Sequence, residues 1–222
     1  MFDFLEGYDL LAAFWTTVQL ALYSAIGSLI WGTILAAMRV SPVPVMRVFG
    51  TAYVNLMRNT PLTIVLLFTS LGLNQTLEVD LFGGESDAVN FQLAVLGLTA
   101  YTATFVCESL RAGINTVPVG QAEAARALGL SFTQVLFLVV LPQAFRAVIA
   151  PLANVLIALT KNTTVAAAIS VAEAAALMKE MIEMESHAIF LVFAVFAFGF
   201  VALTLPTGLL LGWVAKRAAV KR

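Results

Sequence analysis

Long apolar runs separated by short polar patches set the plan of this chain. A bilayer core of ~30 Å is crossed by about 20 mostly apolar residues in a helix. Four runs meet that length, at roughly 14–38, 49–73, 91–113 and 187–215. A fifth, roughly 132–160, is interrupted by Pro142 and Pro151. Membrane helices tolerate such prolines where neighbouring helices or hydroxyl side chains satisfy the freed carbonyls. The polar patches carry the orientation. Arg39 and Arg47 flank the first connection, Arg126 lies in the third, and Lys216, Arg217, Lys221 and Arg222 form the C-terminal tail. Asp3, Glu6 and Asp9 precede the first run, and Glu78, Asp80, Glu85 and Asp87 fill the second connection with no Lys or Arg among them. Basic connections stay in the cytoplasm, so about five spans are expected, with the N-terminus outside and the C-terminus cytoplasmic. The stretch 161–186 carries Glu173, Lys179, Glu180, Glu183 and Glu185 towards its end. It is expected to form an outer-side helix or re-entrant element, because a sixth span would put the basic tail outside.

Composition agrees. Of 222 residues, 61% are hydrophobic and 11% charged, with mean hydropathy +0.96. A soluble domain carries about 25% charged residues, so the fold class is an all-α integral membrane protein, read as a single domain over 1–222. A net charge of −1 and the lack of a basic tract give nucleic acid nothing to bind. One cysteine (Cys107) and one histidine (His187) exclude a disulfide framework and do not supply a zinc site. Cys107, Gly27, Gly32, Gly208 and Gly212 are expected to serve close helix packing, and His187 to lie at the outer boundary. The acidic start MFDFLEGYD lacks the basic region of a cleavable signal peptide, so the first span is expected to act as the insertion signal. None of the four lysines follows a glycine, so no phosphate-cradling Gly-x-x-x-x-Gly-Lys loop exists here.

One polar stretch stands apart. VGQAEAARALGLSFTQVLFLVVLPQA, residues 119–144, follows the third long run on the expected cytoplasmic side. Pro118 suits a first helical turn, and QAEAARAL at 121–128 is strongly helix-forming. Gly129 falls where a left-handed cap ends a helix, and Ser131 with Gln134 makes a capping box for the next. The spacing predicts a short surface helix, a glycine turn and re-entry into the membrane.

Glu123-Ala124-Ala125, Gly129 after three more residues, then Val139 and Leu141-Pro142 resemble the EAA loop of ABC-transporter permeases. Thr16-Thr17-Val18, Arg58-Asn59-Thr60-Pro61, Tyr101 through Glu108 to Arg111 and Gly113, Val117 to Gln121, and Lys161-Asn162-Thr163-Thr164 extend the resemblance to the polar amino acid uptake permeases, a type I importer fold. In that family the loop, here about 114–142, is a coupling helix docking on an ATP-hydrolysing subunit. The resemblance implies that Glu123 and Arg126 face the ATPase, that Ala124 and Ala125 allow close approach, and that Gly129 permits the turn. It also implies an ABC ATPase dimer using ATP and Mg, a second permease subunit, an extracytoplasmic binding protein, and a prokaryotic cytoplasmic membrane. The chain itself is then a transport subunit that binds no cofactor. The implied solute is a polar amino acid, with glutamate or a related acidic or amide amino acid as the expectation. Relatives more often carry Arg-Gly-Thr-Pro and Lys-Asp-Thr-Ser where Asn59, Asn162 and Thr164 stand here, which removes a possible carboxylate at 162.

The intramembrane polar residues leave alternatives open. Arg58 lies 11 residues beyond Arg47, roughly 16 Å up a straight helix and near mid-bilayer. A charge at that depth costs at least ~2.5 kcal/mol and must face protein or water. It is either a contact for a substrate carboxylate or an internal partner for Glu108 or helix-end carbonyls. Glu108 and Arg111, three apart, suit a local structural or gating ion pair. Lys161 is a translocation-path cation or an interfacial anchor; Asn162, Thr163 and Thr164 clustered around it favour the path, with Asn59, Thr60 and Tyr101 as further path candidates. An ion-coupled secondary transporter is the alternative, but Glu108 alone among carboxylates lies clearly within a span and no internal repeat is evident. An intramembrane enzyme would need a nucleophile and base at depth, which no Asp and a single edge His provide.

Overall fold

The computed structural model describes residues 7–78, 83 and 85–218. Asp3, Glu6, Asp80, Lys221 and Arg222 lie outside them. Among the described residues every regular element is helical: α1 (Leu10–Val40), α2 (Pro44–Arg58), α3 (Leu62–Leu67, continuing with π geometry over Phe68–Thr76), α4 (Ser86–Asn115), α5 (Val119–Ala127), α6 (Phe132–Val135), α7 (Leu141–Asn162), α8 (Ala174–Met184) and α9 (Ile189–Ala218). A π turn, Leu136–Val140, joins α6 to α7, and the 3₁₀ segment Thr163–Ile169 follows α7. Four stretches are long and apolar enough to cross a membrane: Leu10–Val40, Ser86–Asn115, Phe132–Ile169 and Ser186–Arg217.

The run 49–73 is not the single straight span expected. α2 and the α3 segment meet at 108°. Pro61 has no N–H to donate and pushes the preceding residue out of helical geometry, so α2 stops at Arg58 and α3 restarts beyond Pro61. Side chains bond the last carbonyls of α2 locally. Asn59 Nδ2 donates to Asn55 O at 2.7 Å, and Thr60 Oγ1 donates to Leu56 O at 2.8 Å. The fifth run behaves differently: Pro142 falls in the first turn of α7, and the π turn before it absorbs the missing amide, leaving 132–169 as one span.

The densest seam is α1 against α4. Small residues let the two backbones approach closely, as membrane helices require where no water drives them together. A Cβ on Gly32 would stand 2.6 Å from Val106 Cβ, and one on Gly27 2.7 Å from Thr99 Oγ1. Gly113 seats α4 on α7 in the same way, 2.0 Å from Val148 Cγ2. Gly208 and Gly212 do not: the first meets Ile157 at an ordinary 3.6 Å and the second meets nothing within 4 Å. Cys107 is buried beside Leu35 and Val54, as a packing residue should be. α9 turns Phe190, Phe193, Phe198 and Leu209 outward, which suits hydrocarbon rather than water.

The bundle has a basic end and an acidic end. Arg39, Arg47, α5 and Lys216 with Arg217 mark the first; Asp9, Glu85, α8 and the start of α9 mark the second. The stretch after α7 returns to the acidic end as a 3₁₀ segment, a left-handed Ser170 (φ 61°) and then α8. Met181 of α8 packs with Val192 and Phe196 of α9, and with Tyr8, Leu10 and Phe14. His187 sits in the turn before α9, 3.6 Å from Glu185 Oε2. Glu173, outside the spanning helices, is fully buried and caps α8, accepting from Ala176 N at 3.0 Å. Thr17 of α1 donates to Glu173 Oε2 at 3.3 Å, and Ala174 N donates back to Thr17 Oγ1 at 3.1 Å. This reciprocal lock ties two points 156 residues apart. Burial raises the Glu173 pKa above the ordinary carboxylate value, with the bonds from α8 amides and Thr17 opposing it.

Two outcomes test this packing. Gly32→Val should lower the detergent melting temperature by the equivalent of about 1–3 kcal/mol, whereas Gly120→Ala, which meets nothing within 4 Å, should not. For Glu173 the folded pKa lies above the unfolded one, so the folded chain holds the extra proton and stability falls as pH rises through the folded value. Melting curves across acidic to alkaline buffers should show wild type losing ground to Glu173→Gln as pH rises; parallel curves would disprove it.

Candidate functional site

Three helices bring their charges to one point near the basic end. Arg39 comes from the last turn of α1, Arg58 is the last residue of α2, and Glu108 with Arg111 lie on α4. Arg39, its side chain only 8% exposed, donates a close hydrogen bond to Glu108 Oε1. Arg58 Nη1 stands 3.6 Å from the same oxygen, and Arg111 Nε 3.6 Å from Oε2. The pairing of Glu108 with Arg111 is present, but Arg39, read from sequence only as a loop-flanking charge, is the tighter partner. One carboxylate thus faces three guanidiniums. Arg58 and Arg111 remain 47% and 43% exposed.

Arg58 lies beside Glu108, seven residues before the end of α4 and so about 10 Å along α4 from that end. Its guanidinium sits 6.0 Å from the Phe105 ring, which in turn packs on Tyr101 at 5.2 Å. Tyr101, Leu62 just beyond the α2–α3 break, and Leu159 and Val165 around the end of α7 share one core cluster. The start of α3 and the end of α7, next to Arg58-Asn59-Thr60 and Lys161-Asn162-Thr163-Thr164, therefore pack in one core. Four of these seven side chains have local work. Thr163 Oγ1 donates to Thr160 O and Thr164 Oγ1 to Lys161 O, each at 2.8 Å, as Asn59 and Thr60 do at the other break. Thr163 is fully buried, while Lys161 is exposed. The cavity of about 790 Å³ between α1, α4, α7 and α9 is lined by Leu29, Leu110, Phe145, Leu152, Leu211 and similar side chains. It offers a polar solute nothing.

The coupling stretch folds as its residues dictate. Pro118 stands just before the first turn of α5 rather than within it. Gly129 adopts φ +88°, Gly129 N bonds Arg126 O and Leu130 N bonds Ala125 O, a glycine-ended helix. Ser131 and Gln134 complete the capping box. Gln143 Nε2 donates to Gln121 Oε1 at 2.7 Å, fastening α5 to the foot of α7. Glu123, Ala124, Arg126 and Gly129 are exposed, but Ala125 turns inward and is buried. The sequence reading missed the apolar part of this surface: Val119, Leu128 and Phe132 are 71%, 82% and 74% exposed.

Residues 10–220 match the family described as binding-protein-dependent transport system inner membrane component. The chain belongs to that family. It is 58% identical over 220 residues to the glutamate transport system permease protein GluC of Corynebacterium efficiens, covering 97% of this chain and 96% of that one. The GluC protein of Corynebacterium glutamicum gives the same identity and coverage. Among solved structures, an amino acid ABC transporter crystallised with histidines shares the fold, with TM-score 0.79, 24% identity, and coverage of 94% of this chain and 93% of that one. The chain is therefore a membrane-spanning permease subunit of an ABC importer, working with a binding protein and with ATP hydrolysis in a separate subunit.

The charge cluster divides into a buried and an exposed part, and stability should divide with it. Arg39→Ala strips Glu108 of its buried partner and should cost ~3 kcal/mol, the low end for a broken buried pair because two arginines remain. Arg58→Ala should cost about 0–1 kcal/mol. Comparable melting temperatures for the two purified variants would contradict this division.

Proposed function

We propose that this permease imports glutamate across a prokaryotic cytoplasmic membrane by ATP-driven alternating access. The observation that carries the solute assignment is the 58% identity, over nearly the whole chain, to two proteins bearing the name glutamate transport system permease. The charge balance supports it: among the described residues Glu108 is the carboxylate paired with Arg58 and Arg111, both nearly half exposed, and Lys161 is exposed as well, which favours an anion over a neutral or cationic amino acid. Arg58, Asn59, Thr60, Tyr101 and Lys161 to Thr164 border the path in this reading.

The basic end faces the cytoplasm by the positive-inside rule. There α5 presents Glu123 and Arg126 together with Val119, Leu128 and Phe132 to a dimer of ATPase subunits that bind ATP and Mg. Closure of that dimer moves α5, and the Gln143–Gln121 bond with the Ser131 capping box passes the motion to α7. A second permease subunit completes the path, and an extracytoplasmic binding protein loads it from the acidic end.

Two substitutions, one on the exposed side of α5 and one in the turn after it, test the coupling. Glu123→Lys with Gly129→Asp should abolish ATPase co-purification and ATP-dependent glutamate uptake in vesicles while leaving the protein inserted. Normal uptake by this variant removes the coupling role, and uptake driven by an ion gradient without ATPase restores the secondary-transporter alternative.

A further inference from the structure

We propose that Arg58 and Arg111 form a carboxylate-receiving pair that selects the acidic side chain of the solute over its amide, with Glu108 as the resident anion they share at rest. This rests on the reading of the chain as a glutamate permease. The argument starts from an imbalance. Three guanidiniums surround one carboxylate, and the contacts are unequal: Arg39 is buried and hydrogen-bonded, whereas Arg58 and Arg111 stand at 3.6 Å, beyond ordinary hydrogen-bond length, and are nearly half exposed. Arg39 satisfies Glu108. The other two keep most of their five donors free.

Uncompensated guanidiniums on membrane-crossing helices are costly unless they meet water or an anion. Both reach the same Glu108 carboxylate, one from each oxygen, so a second carboxylate of the same size can bridge them from the exposed side. Arginine's planar fork suits such two-pronged recognition. Phe105 under Arg58 holds that guanidinium in place without competing for its donors. An amide side chain would match the shape but bring no charge. Arg58 ends α2 at the 108° break while Arg111 belongs to α4, so a bridging carboxylate adds a contact between two helices already joined by Tyr53 Oη donating to Ala100 O and by Val54 packed with Ala103 and Cys107.

The test uses the purified permease–ATPase complex without its binding protein, titrated calorimetrically with glutamate and with glutamine, alongside glutamate uptake by the full reconstituted system. Wild type should bind glutamate about 10- to 100-fold more tightly than glutamine, the range for hydrogen bonds to a charged group. Arg58→Gln and Arg111→Gln should each erase most of that preference while still co-purifying with the ATPase; Arg58→Lys should keep part of it and stands in if Arg58→Gln does not assemble. An unchanged preference in both Gln variants, or import by wild type with no binding to this complex, overturns the proposal and leaves the glutamate reading standing. A wild-type system that neither binds nor imports glutamate overturns that reading instead.

Discussion

Inside hydrocarbon no backbone amide or carbonyl can be left to water, and this one constraint decides where the chain bends and which residues stand there. Wherever a spanning helix stops short, a side chain steps in within one turn. Asn59 and Thr60 serve the carbonyls of α2 at the 108° break, Thr163 and Thr164 serve those at the end of α7, and Glu173 takes an amide at the start of α8. The polar residues most easily suspected of meeting solute are also the ones that make irregular backbone possible at those points. The two roles coincide because irregular backbone in a membrane survives where it is enclosed by protein or borders an aqueous path.

The charges are arranged on a second rule. Arg39 and Glu108 are joined where α1 and α4 are already held together by small residues, so their ion pair sits in a seam that cannot open without wide repacking. Arg58 and Arg111 border the same carboxylate from outside that seam. One buried arginine and two half-exposed ones therefore share one anion. Removing the buried partner would strand a carboxylate, while removing an outer one would leave it that buried partner.

Much of this was legible in the sequence where the signal was local. Ser131 with Gln134, Gly129 and the helix-forming run before it fixed α5 and its exit, because caps and turns are decided by neighbours a few residues apart. Four of the apolar runs became spans for the same reason. The break after Arg58 was not read, since hydropathy summed over 49–73 passes across Asn59-Thr60-Pro61 without registering it. The Arg39 and Glu108 pairing was hidden because 69 residues separate the partners. Buried Glu173 looked like one of several acidic residues on a polar helix; its position directly before Ala174 at a helix start was the available clue, and the contact with Thr17 was not. Ala125 turned inward because a nine-residue helix fastened through Gln121 has little choice of face.

The 3₁₀ segment has a metrical consequence. Seven residues, Thr163–Ile169, rise about 2.0 Å each in that form against 1.5 Å in an α-helix. The ladder between Lys161 and the locked corner at Glu173 is thus about 3.5 Å taller than its residue count demands in α form. Rewinding it would shorten the rung spacing and draw α8 towards α7 by that length, with every covalent bond untouched.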